Sequence, residues 1–138
     1  MSDDHVHLAQ RLYDLFGRGD IPGVLGLFDD QIEWREAEGN PYQPSGAPWI
    51  GPQAILTELF MKLGQEWDGF TVTPASLLPT PEGVLAQGRY TGTYKATGRA
   101  MDAQFAHVLT MRDGKLTGFQ QYVDTAQMQA VMGHAAGG

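Results

Sequence analysis

The sequence predicts an α+β fold in which three helices wrap one face of a cone-shaped, curved antiparallel sheet of five or six strands, a cystatin-like α+β roll. Apolar residues recur at helical spacing within residues 8–28 and 55–63, whereas apolar and polar residues alternate from Phe70 onward. Helices followed by a run of strands are typical of a sheet covered on one face. The length of 138 residues indicates one domain, which we place at residues 1–132 with a disordered tail at 133–138.

Two helices are predicted at the beginning of the chain. Ser2 can cap the first helix, whose first turn carries acidic residues at the positive end of the helix dipole, and Gly17-Arg18-Gly19 ends it. Asp20 can cap a second, short helix, because Pro22 is tolerated in a first turn. The apolar stripes of the two helices comprise Leu8, Leu12, Leu15 and Phe16, and then Val24, Leu27 and Phe28.

A strand and a long loop follow the second helix. The strand is predicted over residues 31–37, because Ile32, Trp34 and Glu36 alternate with charged residues on the other face. Four prolines interrupt residues 38–52, which predicts a loop without regular structure. A loop of this length is typical of a functional rim or lid.

A third helix and four antiparallel strands complete the predicted order. Pro52 begins the helix and Gly64–Gly69 ends it, with an apolar face formed by Ile55, Leu56, Leu59, Phe60 and Leu63. Glycine-containing turn signals divide the chain after that point. The strands are predicted near residues 70–78, 84–96, 99–111 and 116–124, and a short final helix at 125–132.

Two ionisable residues stand on faces that the alternation predicts to be buried. His107 lies in the middle of the apolar face of its strand, and Glu36 shares its face with Ile32 and Trp34. A structural explanation exists for each: a core histidine can bond to a backbone carbonyl, and a glutamate at a strand end can reach solvent. Their occurrence together favours a site in which both face one pocket.

The turn after residue 96 decides which residues face His107 from the preceding strand. A two-residue turn at Thr97-Gly98 would pair Gly88 with His107 and Tyr90 with Phe105. Gly88 would then leave space beside the imidazole.

The turn at Asp113-Gly114 decides which residues of the last strand share the face of His107. A two-residue turn would place one set of side chains there, and a three-residue turn with Gly114 in a bulge would place the other. We prefer the second set, because a pocket wall needs its large apolar residues. The first set is Gln120, Tyr122 and Asp124, and the second is Phe119, Gln121 and Val123.

Composition and motifs exclude several classes of function. The net charge of −7, without a cluster of Lys and Arg residues, argues against nucleic-acid binding. No apolar run is long enough to span a membrane and no secretory signal pattern is present, so we expect a cytoplasmic protein that does not bind membranes. The chain has no cysteine and lacks nucleotide-binding and serine hydrolase motifs. His5 and His7 have no carboxylates at ligand spacing, so we expect neither a metal nor another cofactor.

The order of several short segments resembles the nuclear transport factor two-like superfamily, and within it the SnoaL-like and ketosteroid isomerase-related proteins. The resemblance covers residues 5 to about 130 and is specific for the fold rather than for one reaction. The segments are Gly19-Asp20-Ile21, Leu27-Phe28-Asp29-Asp30, Ile32-Glu33-Trp34, Gly51-Pro52-Gln53-Ala54-Ile55 and Asp113-Gly114-Lys115, followed by Gln121-Tyr122.

The resemblance implies roles for individual residues. The catalytic base of ketosteroid isomerases falls on Glu36, and the protonated carboxyl that stabilises their oxyanion falls on His107. Their oxyanion tyrosine falls on Leu12, and Tyr13 lies one place along, rotated by about 100° on a helix. Glu36 would therefore remove a proton beside a carbonyl group, and His107 would donate a hydrogen bond to the developing oxyanion.

The resemblance also implies the class of activity and partners. It implies a cofactor-independent isomerase, cyclase or dehydratase that acts next to a carbonyl group of a small, mostly apolar organic ligand. The alternative is a non-catalytic protein that binds such a ligand in the same pocket. A homodimer through the outer face of the sheet is implied as well. We expect the ligand to contact Tyr13, Trp34, Leu56, Phe60, Tyr90, Phe105, Phe119, Gln121 and Val123.

Overall fold

A curved six-stranded sheet in the order β2-β1-β6-β5-β4-β3 forms the centre of the computed structural model, which describes residues 2–133. The predicted α+β class with helices against one curved sheet is confirmed. The strands are β1 (Phe28–Arg35), β2 (Trp49–Ile50), β3 (Trp67–Thr80), β4 (Gly83–Tyr94), β5 (Arg99–Arg112) and β6 (Lys115–Val123). β2 pairs with β1 and lies within residues 38–52, so the prediction of no regular structure there is wrong for this short strand.

The helices occupy the predicted segments, with two local differences. The second helix ends at Leu25, so the predicted place of Leu27 and Phe28 in its apolar stripe is wrong, and Phe28 begins β1. The predicted third helix consists of three consecutive segments, here called the central helix, and its middle segment is π-helical. Met61 N–H donates to the Leu56 carbonyl, one residue further back than in an α-helix. The helices are α1 (Ser2–Gly17), α2 (Ile21–Leu25), α3 (Pro52–Ile55), the π segment (Leu56–Phe60), α4 (Met61–Glu66) and α5 (Thr125–Val131). Of the predicted tail, residues 134–138 lie outside the described residues.

One strand pair runs parallel, although the sequence predicts an antiparallel sheet throughout. β1 pairs with β6 in parallel, with Trp34 beside Phe119, and the other pairs are antiparallel. A parallel pair requires a long crossover, and the central helix with the β3–β5 meander supplies it. The Trp34 and Phe119 rings stack with their centroids 3.6 Å apart, which joins the first and last strands at the centre of the core.

The β4–β5 hairpin is two residues out of the predicted register. Tyr94 pairs with Arg99 across a four-residue loop, so Ala86 faces His107 and Gly88 faces Phe105. The predicted pairings of Gly88 with His107 and of Tyr90 with Phe105 are therefore wrong. A Cβ on Gly88 would lie 2.8 Å from the Phe105 ring and would meet the backbone of β3, so glycine is needed for close packing there. A shift of two residues leaves every side chain on its predicted face.

The β5–β6 hairpin reaches the preferred face by a different route. Asp113 and Gly114 form a two-residue turn with φ of 53° and 75°, so the predicted three-residue turn is wrong. Thr117 is an extra residue in β6, because Leu116 pairs with Met111 while the next pair joins residues 118 and 110. This bulge restores the alternation that brings Phe119 and Gln121 to the buried face.

Candidate functional site

His107 lies at the centre of a buried chain of hydrogen bonds. The Tyr13 hydroxyl, from α1, is 2.7 Å from Nδ1 of His107, and the Tyr90 hydroxyl, from β4, bonds to Nε2. Gln121 Nε2, from β6, donates to the Tyr90 hydroxyl at 3.0 Å. The Phe105 ring stacks on the imidazole, with centroids 4.1 Å apart. Both ring nitrogens are therefore occupied by tyrosine hydroxyls.

This environment changes the role that His107 can have. Burial lowers its pKa from 6.5 to about 3, so the imidazole is neutral at physiological pH. The imidazole borders the first of two small interior cavities, but Tyr13 and Tyr90 already occupy both of its nitrogens. The predicted direct hydrogen bond from His107 to a ligand therefore does not fit this arrangement.

Tyr13 reaches the network although the resemblance places the oxyanion tyrosine one residue earlier. Leu12 and Tyr13 are both buried, because α1 lies deep enough against the sheet to bury two adjacent side chains. Burial raises the pKa of Tyr13 above its ordinary value, so the hydroxyl keeps its hydrogen. The chain therefore has a tyrosine hydroxyl at its histidine, supplied by the neighbouring position.

Glu36 is a buried carboxyl directly after β1. Its side chain is only 7% exposed, so it does not reach solvent as a strand-end residue could. Trp34 Nε1 donates to Oε2 at 3.2 Å. Burial raises the pKa of Glu36 from 4.5 to about 8, and the bond from Trp34 opposes this only in part.

The loop after Glu36 is held by buried amide side chains that the sequence analysis missed. Gln43 accepts from the Glu36 N–H at 2.9 Å and donates to the Trp34 carbonyl at 3.1 Å. Asn40 Nδ2 donates to Gln121 Oε1 at 2.8 Å, and the same oxygen accepts from the Ala37 N–H at 3.2 Å. The loop thus fixes the backbone of Glu36 and the amide of Gln121. No periodicity marks Asn40 or Gln43 in the sequence, since both lie in an irregular segment.

The predicted common pocket is divided into two small cavities. One, of about 40 Å³, is bordered by Tyr13 and His107, and the other, of about 50 Å³, is bordered by Glu36 and Tyr90. Each has room for a few water molecules, whereas a drug-sized ligand needs about 300 Å³ or more. Glu36 and His107 therefore border different cavities in the structure, and a single pocket that holds both stays a prediction.

The predicted ligand contacts are distributed over these cavities and beyond them. Leu56 and Phe105 border neither cavity: Leu56 packs against the core and Phe105 lies against Tyr90 and His107. Val123 borders an outer groove of about 520 Å³ that also reaches Glu36. The first cavity contains the predicted residues Tyr13, Trp34, Phe60, His107 and Phe119, and the second contains Glu36, Tyr90 and Gln121.

Two residues that the sequence analysis did not single out belong to both cavities. The half-buried side chains of Phe16, in α1, and Val72, in β3, border each of them and so lie between the two. The sequence analysis places Phe16 in the apolar stripe of the first helix. That pattern does not distinguish a side chain that separates two cavities from one that is packed in the core. The other lining residues that it missed are Leu12, Val24, Tyr42, Leu59, Leu63, Phe70 and Met128.

Among residues 2–133, no group of three or more His, Asp or Glu side chains is placed to hold a metal ion. No helix in the same range has the length and apolar character needed to cross a membrane.

Comparison with known families identifies the chain. The family model described as the SnoaL-like domain matches residues 9–119, most of the chain. The chain belongs to the SnoaL-like domain family. No protein of curated function matches the sequence of this SnoaL-like protein.

Solved structures agree with this assignment. An NTF2-like protein from Burkholderia thailandensis is 30% identical and has a TM-score of 0.86, with 93% of this chain and 96% of that chain covered. TerC, co-crystallised with polyporic acid, is 23% identical with a TM-score of 0.81, covering 94% and 98%. A putative SnoaL-like polyketide cyclase from Jannaschia is 17% identical with a TM-score of 0.80, covering 95% and 93%. The last two likenesses show a common fold.

Proposed function

We propose that the SnoaL-like protein binds a small, mostly apolar organic molecule between sheet and helices, and that Glu36 transfers a proton at a carbon next to a carbonyl group of that molecule. The reaction would be an isomerisation, a cyclisation or a dehydration, and it needs no cofactor. The observation that carries the proposal is a buried carboxyl, Glu36, that borders an interior cavity together with the Tyr90 and Gln121 side chains.

The surroundings of Glu36 suit proton transfer near neutral pH. Its pKa of about 8 lies close to the working pH, where a group can both accept and release a proton efficiently. Among residues 2–133 the Glu36 carboxyl accepts one hydrogen bond, from Trp34 to Oε2, so it keeps acceptor capacity for a ligand proton. A structural carboxylate would instead be held by several donors that stabilise its charge.

The proposed step uses the tyrosine network as its electrophilic partner. Glu36 accepts the proton as the carbon–hydrogen bond breaks. The electron pair of that bond forms a carbon–carbon double bond, and the π electrons of the carbonyl group move to its oxygen. A hydroxyl of Tyr13 or Tyr90 donates to the resulting oxyanion. Return of the proton from Glu36 to another carbon completes an isomerisation. In a cyclisation the enolate carbon attacks a second carbonyl group of the same molecule, and the proton passes from Glu36 to the new alkoxide. In a dehydration the proton passes from Glu36 to the β-hydroxyl, which leaves as water.

Ligand entry requires the two cavities to join. Phe16 and Val72 separate them, and Phe16 is only half-buried in α1, so rotation of its side chain would connect the end that holds Glu36 with the end that holds Tyr13. The apolar walls favour an apolar ligand body. Two structural neighbours support this class of ligand and reaction: TerC was co-crystallised with polyporic acid, and another neighbour is a putative SnoaL-like polyketide cyclase.

Proton exchange tests the proposal without knowledge of the full substrate. Native mass spectrometry first identifies any copurifying molecule, and a panel of small cyclic ketones in D₂O is then followed by NMR for deuterium incorporation next to the carbonyl. We expect the wild type and Glu38→Gln, a control at a nearby exposed glutamate, to exchange a bound ketone, and Glu36→Gln to bind without exchange. Equal exchange by wild type and Glu36→Gln refutes the role of Glu36, and binding without exchange in all three proteins leaves a non-catalytic binding protein.

We further propose a homodimer through the outer face of the sheet. The side chains of Val108 and Tyr122 are 39% and 56% exposed on neighbouring strands of that face, where an apolar and an aromatic side chain favour a protein contact. Size-exclusion chromatography with light scattering should give twice the chain mass at micromolar concentration. A monomer mass, or a dimer unaffected by Tyr122→Asp, contradicts this interface.

A further inference from the structure

The hydrogen-bond chain from the loop to Tyr13 has a direction that can be read from one residue. The two ends of the Gln121 amide have different partners. A backbone N–H can only donate, so the Gln121 atom that bonds to Ala37 N–H is the oxygen Oε1. Asn40 Nδ2 donates to the same oxygen. The other end, Nε2, therefore faces the Tyr90 hydroxyl and donates to it.

The direction continues through Tyr90. Its hydroxyl oxygen accepts from Gln121, and burial raises the pKa of Tyr90, so the hydroxyl keeps its single hydrogen. Among residues 2–133, the remaining hydrogen-bond partner of this hydroxyl is Nε2 of His107. If this hydroxyl accepts from Gln121 and uses its own hydrogen for the other contact, it donates to Nε2 of His107.

The imidazole passes the direction on to Tyr13. If Nε2 accepts, the single proton of a neutral imidazole lies on Nδ1, which then donates to the Tyr13 oxygen. The Tyr13 hydrogen is left without an acceptor in the part of the chain that the structure describes. Tyr13 borders the apolar first cavity, where a ligand would supply that acceptor.

We propose that Gln121 is a positioning residue that sets this direction, so that Tyr13 is presented to the ligand as a hydrogen-bond donor. The ligand must then carry an acceptor oxygen, such as a ketone or enolate oxygen, at the Tyr13 end of the site. This assignment of the ligand group depends on the function proposed above, whereas the direction of the network does not. It selects Tyr13 over Tyr90 as the partner of the oxyanion.

The opposite direction is chemically distinct and leads to a different site. Tyr13 would donate to Nδ1 of His107, and Nε2–H would donate to Tyr90. The Tyr90 oxygen would then accept two bonds, and its own hydrogen would need a third partner. In that case the donor would lie in the cavity with Glu36, and Tyr13 would be unable to donate to a ligand.

The tautomer of His107 distinguishes the two directions. Nitrogen-15 NMR of the full chain, labelled at histidine, reports which ring nitrogen carries the proton, and comparison with His107→Phe assigns the resonances among the four histidines. We expect the Nδ1–H tautomer in the ligand-free wild type at neutral pH. An Nε2–H tautomer, or a charged imidazole, overturns the proposal.

Substitutions at Gln121 test its role as the residue that sets the direction. Gln121→Glu keeps the oxygen that accepts from Ala37 and Asn40. Once the introduced carboxyl is ionised, its second oxygen accepts from the Tyr90 hydroxyl. Tyr90 then accepts from His107, so the imidazole proton moves to Nε2. Gln121→Met has no donor at any pH, and it should weaken the preference for Nδ1–H. Gln120→Glu, the same change at the next, outward position, should leave the tautomer unchanged.

The outcomes separate this inference from the proposed function. The positioning role is refuted if the His107 tautomer is unchanged both in a folded Gln121→Met protein and in Gln121→Glu. For Gln121→Glu, a carbon-13 spectrum must first show that the introduced carboxyl is ionised. This conclusion holds even if ketone exchange occurs. A wild type with Nδ1–H that shifts in both variants supports the role even if no ketone exchanges. The NMR readout needs no ligand, so failure of catalysis leaves it decisive.

Discussion

Glu36 should make the stability of this SnoaL-like protein fall as the pH rises above neutrality. Burial raises its pKa from 4.5 to about 8, so between these values the folded state holds a proton that the unfolded chain has released. The contribution of Glu36 to the free energy of unfolding is fully present below pH 4.5 and is lost as the pH rises through 8. One pKa unit corresponds to about 1.4 kcal/mol, so the interval from pH 6.5 to 8 should cost about 2 kcal/mol.

Between pH 6.5 and 8 the pH dependence of stability should come mainly from Glu36 rather than from His107. Burial lowers the pKa of His107 from 6.5 to about 3, so its contribution is present above pH 6.5 and is lost as the pH falls toward 3. At pH 6.5 half of the unfolded imidazoles are still charged, but the small slope that remains above this pH is common to wild type and Glu36→Gln and cancels from their difference. Below pH 4.5 the fall in stability should come from His107 instead.

Urea unfolding at several pH values gives the free energy of unfolding for wild type, Glu36→Gln and the control Glu38→Gln. The wild type and control should each lose about 2 kcal/mol more than Glu36→Gln across the interval. The glutamine keeps an oxygen for Trp34 Nε1, so its loss of slope reports ionisation rather than a broken contact. Equal slopes for all three proteins would show that Glu36 is ionised like a surface carboxylate, and would refute the reasoning.

Three further substitutions test other parts of the structure. His107→Phe removes the partner of the Tyr13 hydroxyl and should lower the free energy of unfolding by about 1–3 kcal/mol, and a more stable variant in urea unfolding would contradict the network. Gly88→Ala should destabilise by about 1–3 kcal/mol, because its Cβ would clash with the backbone of β3 and with the Phe105 ring, whereas Gly64→Ala, with open space in α4, should stabilise by about 0.5–1 kcal/mol. The reverse order of melting temperatures would be inconsistent with the packing. Phe16→Ala should improve the binding of bulkier ketones relative to smaller ones in calorimetry, and a uniform loss of affinity would show that Phe16 is not the partition.

The fold and the two ionisable site residues were accessible from sequence, because both depend on local periodicity. Glu36 and His107 interrupt an apolar alternation, and the structure buries both. The prediction of which side chains of β4, β5 and β6 face the core was correct, although the predicted lengths of two turns were wrong. The β4–β5 shift of two residues preserves the faces, and the bulge at Thr117 compensates for the shorter turn at Asp113-Gly114.

The polar network and the division of the interior were not accessible from sequence. The bond between Tyr13 and His107 joins residues 94 positions apart, and helix periodicity does not determine how deeply α1 packs. Asn40 and Gln43 lie in a proline-rich loop without a repeating pattern, so their burial follows only from the path of the folded chain. The size of each cavity depends on how side chains such as Phe16 pack, and a pattern of apolar residues does not describe that packing.

The pH dependence of deuterium exchange tests most directly whether Glu36 is the base. For a ketone that binds, the exchange rate of the wild type should rise with pH and level off above about 8, following ionisation of Glu36, and the Glu36→Gln rate should stay at background throughout. A wild-type rate that does not change between pH 6 and 9, or a Glu36→Gln protein that exchanges the ketone at the wild-type rate, would contradict the account.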